Sequence, residues 1–126
     1  MSNPTLTILA DLFAIHRFVA GTPIPKEIAK ASFFSVTRTD KELSVVVPES
    51  LELHSEKPEG GWACIRVNGP LEFSQVGILS GLSSPLAKAN ISIFAISTFD
   101  TDYILIKAEQ LPQAKTALET AGYMIH

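Results

Sequence analysis

Two aspartates near the end of the chain, Asp100 and Asp102, are the side chains best suited to chemistry. They lie in a polar corner, Ser97–Asp102, between the apolar runs Ile91–Ile96 and Tyr103–Ile106. Two carboxylates could act as a general acid and base, but no partner base lies nearby in the sequence. They could instead bind an ammonium or guanidinium group through charge-assisted hydrogen bonds. The alternative is a solvated hairpin corner, because Asp tolerates turn geometry.

The other reactive side chains are scattered along the chain. Cys64 lies in an apolar segment, which is typical of a buried, inert thiol. His16, His54 and His126 share no metal-ligand spacing, and a single cysteine excludes an intrachain disulfide and a cysteine-based zinc site. We therefore expect no enzyme activity, no cofactor and no metal. An enzyme whose chemistry the sequence hides is the third and weakest alternative.

Composition and charge exclude several classes of protein. With 46% hydrophobic and 18% charged residues among 126, the chain can bury a core and is not disordered. The net charge is −3 without a run of Lys or Arg, which argues against nucleic acid as a partner. No segment is typical of a signal peptide or approaches the ~20 apolar residues of a membrane span. We expect a cytoplasmic protein that binds no membrane.

The second half of the chain predicts strand, helix, strand, strand, helix, strand. A helical apolar stripe and a second helical segment, which ends at Gly122, alternate with β-branched and aromatic runs. Pro85 falls inside the first helix, so we expect a kink there, or an end followed by a restart at Ser84. The predicted elements are strand Trp62–Val67, helix 76–86, strands Ser92–Phe99 and Asp102–Ala108, helix 111–121 and strand Tyr123–His126.

The first half predicts shorter elements. Pro and Gly residues indicate a loop after Val19. They also mark a polar stretch, His54–Gly61, that we interpret as a linker. The predicted elements are strands Thr5–Leu9 and Leu12–Val19, a short helix Lys26–Ala31, strands Phe33–Thr37 and Leu43–Val47 joined by the turn Thr39–Glu42, and a possible short helix from Pro48.

The two halves resemble each other at two offsets. An offset of 60 gives seven identities between residues 25–51 and 85–111 and places Asp40 on Asp100. An offset of 49 places Arg17 on Arg66, and these arginines are either structural, at an interface, or contacts for an anion. We predict an α+β fold of two ferredoxin-like (βαββαβ) units, with antiparallel sheets and helices on one face. The first unit, 1–57, is reduced and the second, 62–126, is complete.

The second hairpin is apolar on both faces. In Ile93–Lys107 the residues on both faces of the predicted strands are largely apolar. A sheet with one solvent-exposed face alternates apolar and polar residues more regularly. We therefore expect both faces to be covered, by the other unit or by a second subunit.

The segment Gly77–Lys107, with its Ser-Thr-Phe-Asp-Thr-Asp corner, resembles an ACT domain. It is most similar to the aspartate-kinase type and to small stand-alone bacterial proteins with tandem ACT units. Thr37–Ser44 extends the resemblance over most of the first half. The resemblance implies a non-catalytic regulatory module that binds a small molecule, usually an amino acid, at the interface of paired units. A homodimer through sheet or helix faces is a further expectation.

The resemblance also implies where a ligand would bind. The site would combine the loop after the first strand, the start of the first helix and the corner of the hairpin. Free amides at a helix N-terminus suit a carboxylate, and a glycine there lets a ligand approach the backbone. The expected positions are Asn68, Gly69, Gln75, Val76, Gly77, Ile78, Ser97, Thr98, Asp100, Thr101 and Asp102. The first unit lacks the matching loop and helix, so we expect at most one complete site per chain. The alternative function is a protein-interaction or oligomerisation module that has lost ligand binding.

Overall fold

The computed structural model describes residues 3–69 and 77–126. Within them, strands of 4 to 14 residues and two α-helices follow one another, with a 3-10 helix at Lys26–Lys30 and another at Ala108–Gln110. The elements are β1 (Leu6–Val19), β2 (Ser35–Arg38), β3 (Glu42–Pro48), β4 (Lys57–Val67), α1 (Ile78–Lys88), β5 (Phe94–Ser97), β6 (Asp102–Lys107) and α2 (Leu111–Thr120). None of the described helices is long and apolar enough to span a bilayer.

The chain divides into two compact units. The helical unit comprises Met1–Ala10 and Ala63–His126, and the small unit comprises Asp11–Trp62. The sequence predicted two strands on either side of Asp11, but Leu6–Val19 is a single strand. Ala10, Asp11 and Leu12 are exposed, and one solvated Asp lowers strand propensity too little to break a strand that is buried at Leu6 and again from Phe13. The first residues of the chain therefore belong with the C-terminal half.

The helical unit is an α+β layer pair. Its strands follow the order β1-β4-β6-β5, and β5 pairs with β6 in antiparallel register. One apolar cluster joins the strands to both helices, with Leu6, Ile65, Ile104 and Leu118 fully buried. The closing strand predicted at Tyr123–His126 is a single parallel bridge, Leu6 to Ile125, supported by backbone hydrogen bonds. Leu6 thereby fixes the C-terminus to the sheet.

Both helices end in the same backbone motif. After α2, Gly122 has a left-handed φ of 100°, and Tyr123 N–H bonds to the carbonyl of Leu118 at 3.0 Å. After α1, Asn90 takes that role with a φ of 62°, and Ile91 N–H bonds to Leu86 at 2.9 Å. These are Schellman motifs, and each returns a buried side chain to the core. The predicted cap at Gly122 is confirmed, and Asn90 was not foreseen.

Pro85 does not interrupt α1. The helix is continuous from Ile78 to Lys88, so the predicted end and restart at Ser84 is wrong. Proline removes one hydrogen bond in the helix, to the carbonyl of Gly81. Leu82 and Leu86 flank Pro85 and are fully buried, so their packing stabilises the helix despite the lost bond.

The small unit has the strand order β2-β3-β1-β4. Its core consists of Phe18, Ile28, Leu43, Val45 and Val47. The predicted turn at 39–42 is confirmed, because Thr39 N–H bonds to the carbonyl of Glu42 at 2.9 Å.

The short helix predicted at 26–31 is present as a 3-10 helix, Lys26–Lys30. Two other predictions for the small unit need correction. The helix predicted from Pro48 is only a turn, closed by Leu51 N–H to the Pro48 carbonyl. Lys57–Gly61, which we interpreted as linker, is the first part of β4, and Gly61 adopts a φ of 77° within it. The carboxylate of Glu49 accepts the Gly61 N–H at 3.0 Å, and this bond holds the glycine-rich strand in place.

His16 occupies the core of the small unit. It is 4% exposed, and its Nδ1 lies 2.7 Å from the Ser55 hydroxyl. Burial lowers the pKa of His16, so the ring is neutral near pH 7. The side chain that the sequence left without a role is therefore a buried structural histidine.

The expectation that both faces of the second hairpin are covered holds for one strand. On β6, Ile104, Leu105 and Ile106 are fully buried although they point to alternating faces. On β5 half-buried and exposed positions alternate, with Ala95 exposed.

Candidate ligand-binding site

The corner between β5 and β6 is a tight turn held by threonine. Thr98 N–H bonds to the carbonyl of Thr101 at 2.8 Å, and Thr101 N–H donates to the Thr98 hydroxyl at 3.2 Å. Phe99 and Asp100 form the tip and are exposed. The hydroxyl of Thr101, which is 8% exposed, donates to the carbonyl of Val67. Thr98 therefore closes the turn, and Thr101 anchors it to the end of β4.

Beside this anchor lies a surface concavity of about 560 Å³. It combines residues of the site expected from the sequence with one residue that was not expected there. Its lining is Arg66, Asn68, Gly69, Asp100 and Thr101. We call this concavity the corner groove.

Arg66 is the residue that the site prediction missed. Its neighbours Ile65 and Val67 pack in the helical unit's core, so alternation along β4 sends Arg66 to the opposite face of the sheet. Within residues 3–69 and 77–126, Arg66 makes no ion pair or side-chain hydrogen bond. Its match to Arg17 was the only signal in the sequence that pointed to it.

Asn68 is held in place by Thr5, just before β1, and by Thr7 within it. Its N–H bonds to the carbonyl of Thr5 at 2.9 Å, and its Oδ1 accepts from the Thr7 hydroxyl at 2.8 Å. The second bond fixes the orientation of the side-chain amide, and its NH₂ group keeps donors that these contacts do not use. The corner groove thus offers a guanidinium, an amide and a carboxylate.

Ser97 and Asp102 belong to a different surface. They are paired across the hairpin, and the Ser97 hydroxyl donates to Asp102 Oδ1 at 2.7 Å. Asp102 alternates with Ile104 and Ile106, whose side chains pack beneath the helices, so it lies on the helix face of the sheet. The structure therefore does not bring Asp102 together with Arg66 and Asn68.

Of the four predicted site residues near the start of α1, the structure describes two. Gly77 precedes the helix with a left-handed φ of 80°, and Ile78 packs on the apolar core. Gln75 and Val76 lie outside the described residues. No group of His, Cys, Asp and Glu suited to a metal ion occurs within residues 3–69 and 77–126.

Cys64 is fully buried in β4, and burial raises its pKa to about 12. Only the thiolate is nucleophilic, so the folded protein should leave a disulfide reagent such as DTNB unreacted at pH 8 over minutes. The thiol should react at once in denaturant, and the absorbance of the released thiolate measures both. Fast reaction of the native protein would contradict the buried position.

Two family models match different parts of the chain. A family model described as ACT domain matches residues 57–120, and a second model, described as an N-terminal domain, matches residues 11–51. The human protein named cytosolic arginine sensor for mTORC1 subunit 1 is 35% identical over 116 residues. That match covers 79% of this chain and 33% of the human protein. The chain thus spans about a third of the length of this relative.

Solved structures resemble the whole chain. A protein from Agrobacterium tumefaciens has a TM-score of 0.92 and 33% identity, over 100% of this chain and 94% of its own. The regulatory subunit of aspartate kinase from Thermus flavus has a TM-score of 0.68 and 12% identity, over 96% and 99%. The second likeness concerns the fold alone.

Proposed function

The chain belongs to the ACT domain family, and we propose from this that it is a non-catalytic regulatory module that binds a small molecule, in particular an amino acid, in the corner groove. The related arginine sensor is named for a ligand of this class. A cytosolic location, as in that protein's name, is part of the proposal.

The observation that carries the proposal is the pairing of opposite charges in one concavity. Arg66 and Asp100 both line the corner groove, together with the amide of Asn68. A free amino acid carries a carboxylate and an ammonium group, and these complement a guanidinium and a carboxylate. Arg66 would bind the carboxylate and Asp100 the ammonium.

Thermal unfolding in the presence of each of the twenty amino acids tests the proposal. A ligand at ~100 times its dissociation constant adds ~2.7 kcal/mol to the free energy of unfolding, which raises Tm by roughly 10 °C for a chain of this size. Asp100→Asn removes a charged acceptor, worth about 1.5–3 kcal/mol, and should weaken the effective ligand at least about tenfold. Calorimetric titration of both proteins gives the two affinities.

Asp40→Asn is the matched control, because Asp40 is an exposed aspartate at the tip of the other hairpin. It should leave the affinity unchanged. Equal losses in the two variants would contradict the corner groove as the site.

A second candidate function is an interaction module. A mainly apolar concavity of about 470 Å³ lies between α1 and α2, lined by Lys88 and by small side chains that include Pro85, Ala117 and Ala121. Helices with small residues at their surface permit close approach of another chain, and a homodimer through helix or sheet faces belongs to this alternative. If no amino acid changes Tm, this alternative replaces the sensor.

A further inference from the structure

The small unit repeats the surroundings of Arg66 around Arg17. Phe18 follows Arg17 and packs in the core of the small unit, as Val67 follows Arg66 and packs in the core of the helical unit. In each unit the arginine's strand lies beside the second strand of a hairpin, since β1 neighbours β3 and β4 neighbours β6. The two arginines therefore hold equivalent positions, each on the face opposite its own core.

The two hairpin corners are also equivalent. Thr39 N–H bonds to the Glu42 carbonyl at 2.9 Å, as Thr98 N–H bonds to Thr101 at 2.8 Å. The Thr39 hydroxyl accepts from Glu42 N–H at 3.1 Å, which repeats the contact between Thr98 and Thr101.

This geometry corrects the match made by sequence. The offset of 60 aligned Asp40 with Asp100. The hydrogen-bonded turns instead align Thr39 with Thr98, one residue less than that offset, and so place Lys41 on Asp100. The small unit therefore has Lys41 at the turn position that Asp100 holds in the helical unit, with the acidic Asp40 and Glu42 on either side of it.

The arginine in the small unit already holds a carboxylate. Arg17 forms an ion pair with Glu56, and its Nη2 donates to the carbonyl of Lys41 in the corner at 3.2 Å. Arg66, the equivalent residue, lines the corner groove and has no such partner in the part of the chain that the structure describes.

We propose that Arg17 and the corner Thr39–Glu42 form a second carboxylate site, which the chain's own Glu56 occupies. The idea rests on the proposed function, because it treats Arg66 as the open counterpart of Arg17. A carboxylate attached to the same chain competes at a high effective concentration, so it keeps dilute carboxylates from solution off Arg17. Loss of the Glu56 carboxylate opens the site.

The two sites differ in the ligand that they accept. Asp100 attracts the ammonium group of a zwitterion, whereas Lys41 at the equivalent position repels it and offsets the attraction of the neighbouring Asp40. The site at Arg17, once open, takes a plain carboxylate in preference to an amino acid. The site at Arg66 accepts both a plain carboxylate and an amino acid.

Glu56→Gln tests the proposal in the full chain. The side chains of Arg17 and Glu56 are 40% and 38% exposed, and an ion pair so exposed contributes little to folding, so the variant should keep its fold. Nitrogen-15 NMR follows the Nε–H signals of Arg17 and Arg66, which Arg17→Lys and Arg66→Lys assign. The protein is titrated with sodium acetate and with glycine, at an ionic strength kept constant with sodium chloride.

In the unchanged protein, acetate should shift the Arg66 signal and leave the Arg17 signal in place. In Glu56→Gln, acetate should shift both signals in a saturable way, and glycine should shift Arg66 more than Arg17. Glu52→Gln removes the same charge from an exposed position in the same unit and should behave as the unchanged protein does.

The outcomes separate the two proposals. The second site is wrong if the Arg17 signal stays in place in Glu56→Gln. It is also wrong if that signal shifts equally in the unchanged protein or in Glu52→Gln. A shift of Arg17 in Glu56→Gln with no response of Arg66 in any protein supports the second site and removes the corner groove from the proposed function.

Discussion

Leu6→Ala should lower the free energy of unfolding by about 2–5 kcal/mol, because it opens a cavity in the core of the helical unit. Leu6 is fully buried in the cluster that joins the sheet to both helices. Its backbone bonds to Met124 and His126, so the cavity lies where the chain's two ends meet. Chemical denaturation monitored by circular dichroism measures the loss.

Leu12→Ala is the matched control on the same strand. Leu12 is 39% exposed, so the same truncation should cost much less there. Equal losses of unfolding free energy at the two positions would contradict the burial of Leu6 in the core of the helical unit.

A fragment comprising residues 62–126 extends this test to the domain boundary predicted from the sequence. That fragment lacks Leu6 and Ile8, which pack in its core. We expect it to show no cooperative unfolding transition, and to gain one when a peptide of residues 3–10 is added. A fragment that folds alone with a sharp transition would support 62–126 as a complete unit.

The sequence predicts elements well where burial has a clear period. Helix α2 and its cap at Gly122 follow from apolar spacing and from the only residue that takes a positive φ without strain. The contribution of Leu6–Ala10 to the C-terminal half could not be predicted, because strand alternation indicates a buried face without indicating which core buries it.

The site was harder to predict than the fold for a similar reason. Asp100 and Asp102 are two residues apart, yet the turn ends between them, and only Asp100 lines the corner groove. Asp102 already belongs to β6 and points to the helix face. Arg66 came from a distant strand, and nothing local in the sequence linked it to the corner.

Gly81→Ala should destabilise the protein by about 1–3 kcal/mol, although alanine is the better helix former. A Cβ at Gly81 would lie 2.6 Å from the hydroxyl oxygen of Tyr123. Tyr123 is 7% exposed, and its ring packs in the same core as Leu82, so it cannot move aside without opening a cavity. Thermal unfolding should show a lower Tm for this variant.

Tyr123→Phe should reverse the sign of this effect. The next nearest atom to the new Cβ is Tyr123 Cζ at 4.0 Å, an ordinary contact distance, so removal of the hydroxyl removes the clash. In that background Gly81→Ala should stabilise the protein by up to about 1 kcal/mol, the difference in helix propensity. Ser84→Ala, an exposed position on the same helix, should have a small effect that is the same in both backgrounds. If Gly81→Ala were equally harmful with and without the hydroxyl, the glycine would be required by the backbone of α1 and not by its packing against Tyr123.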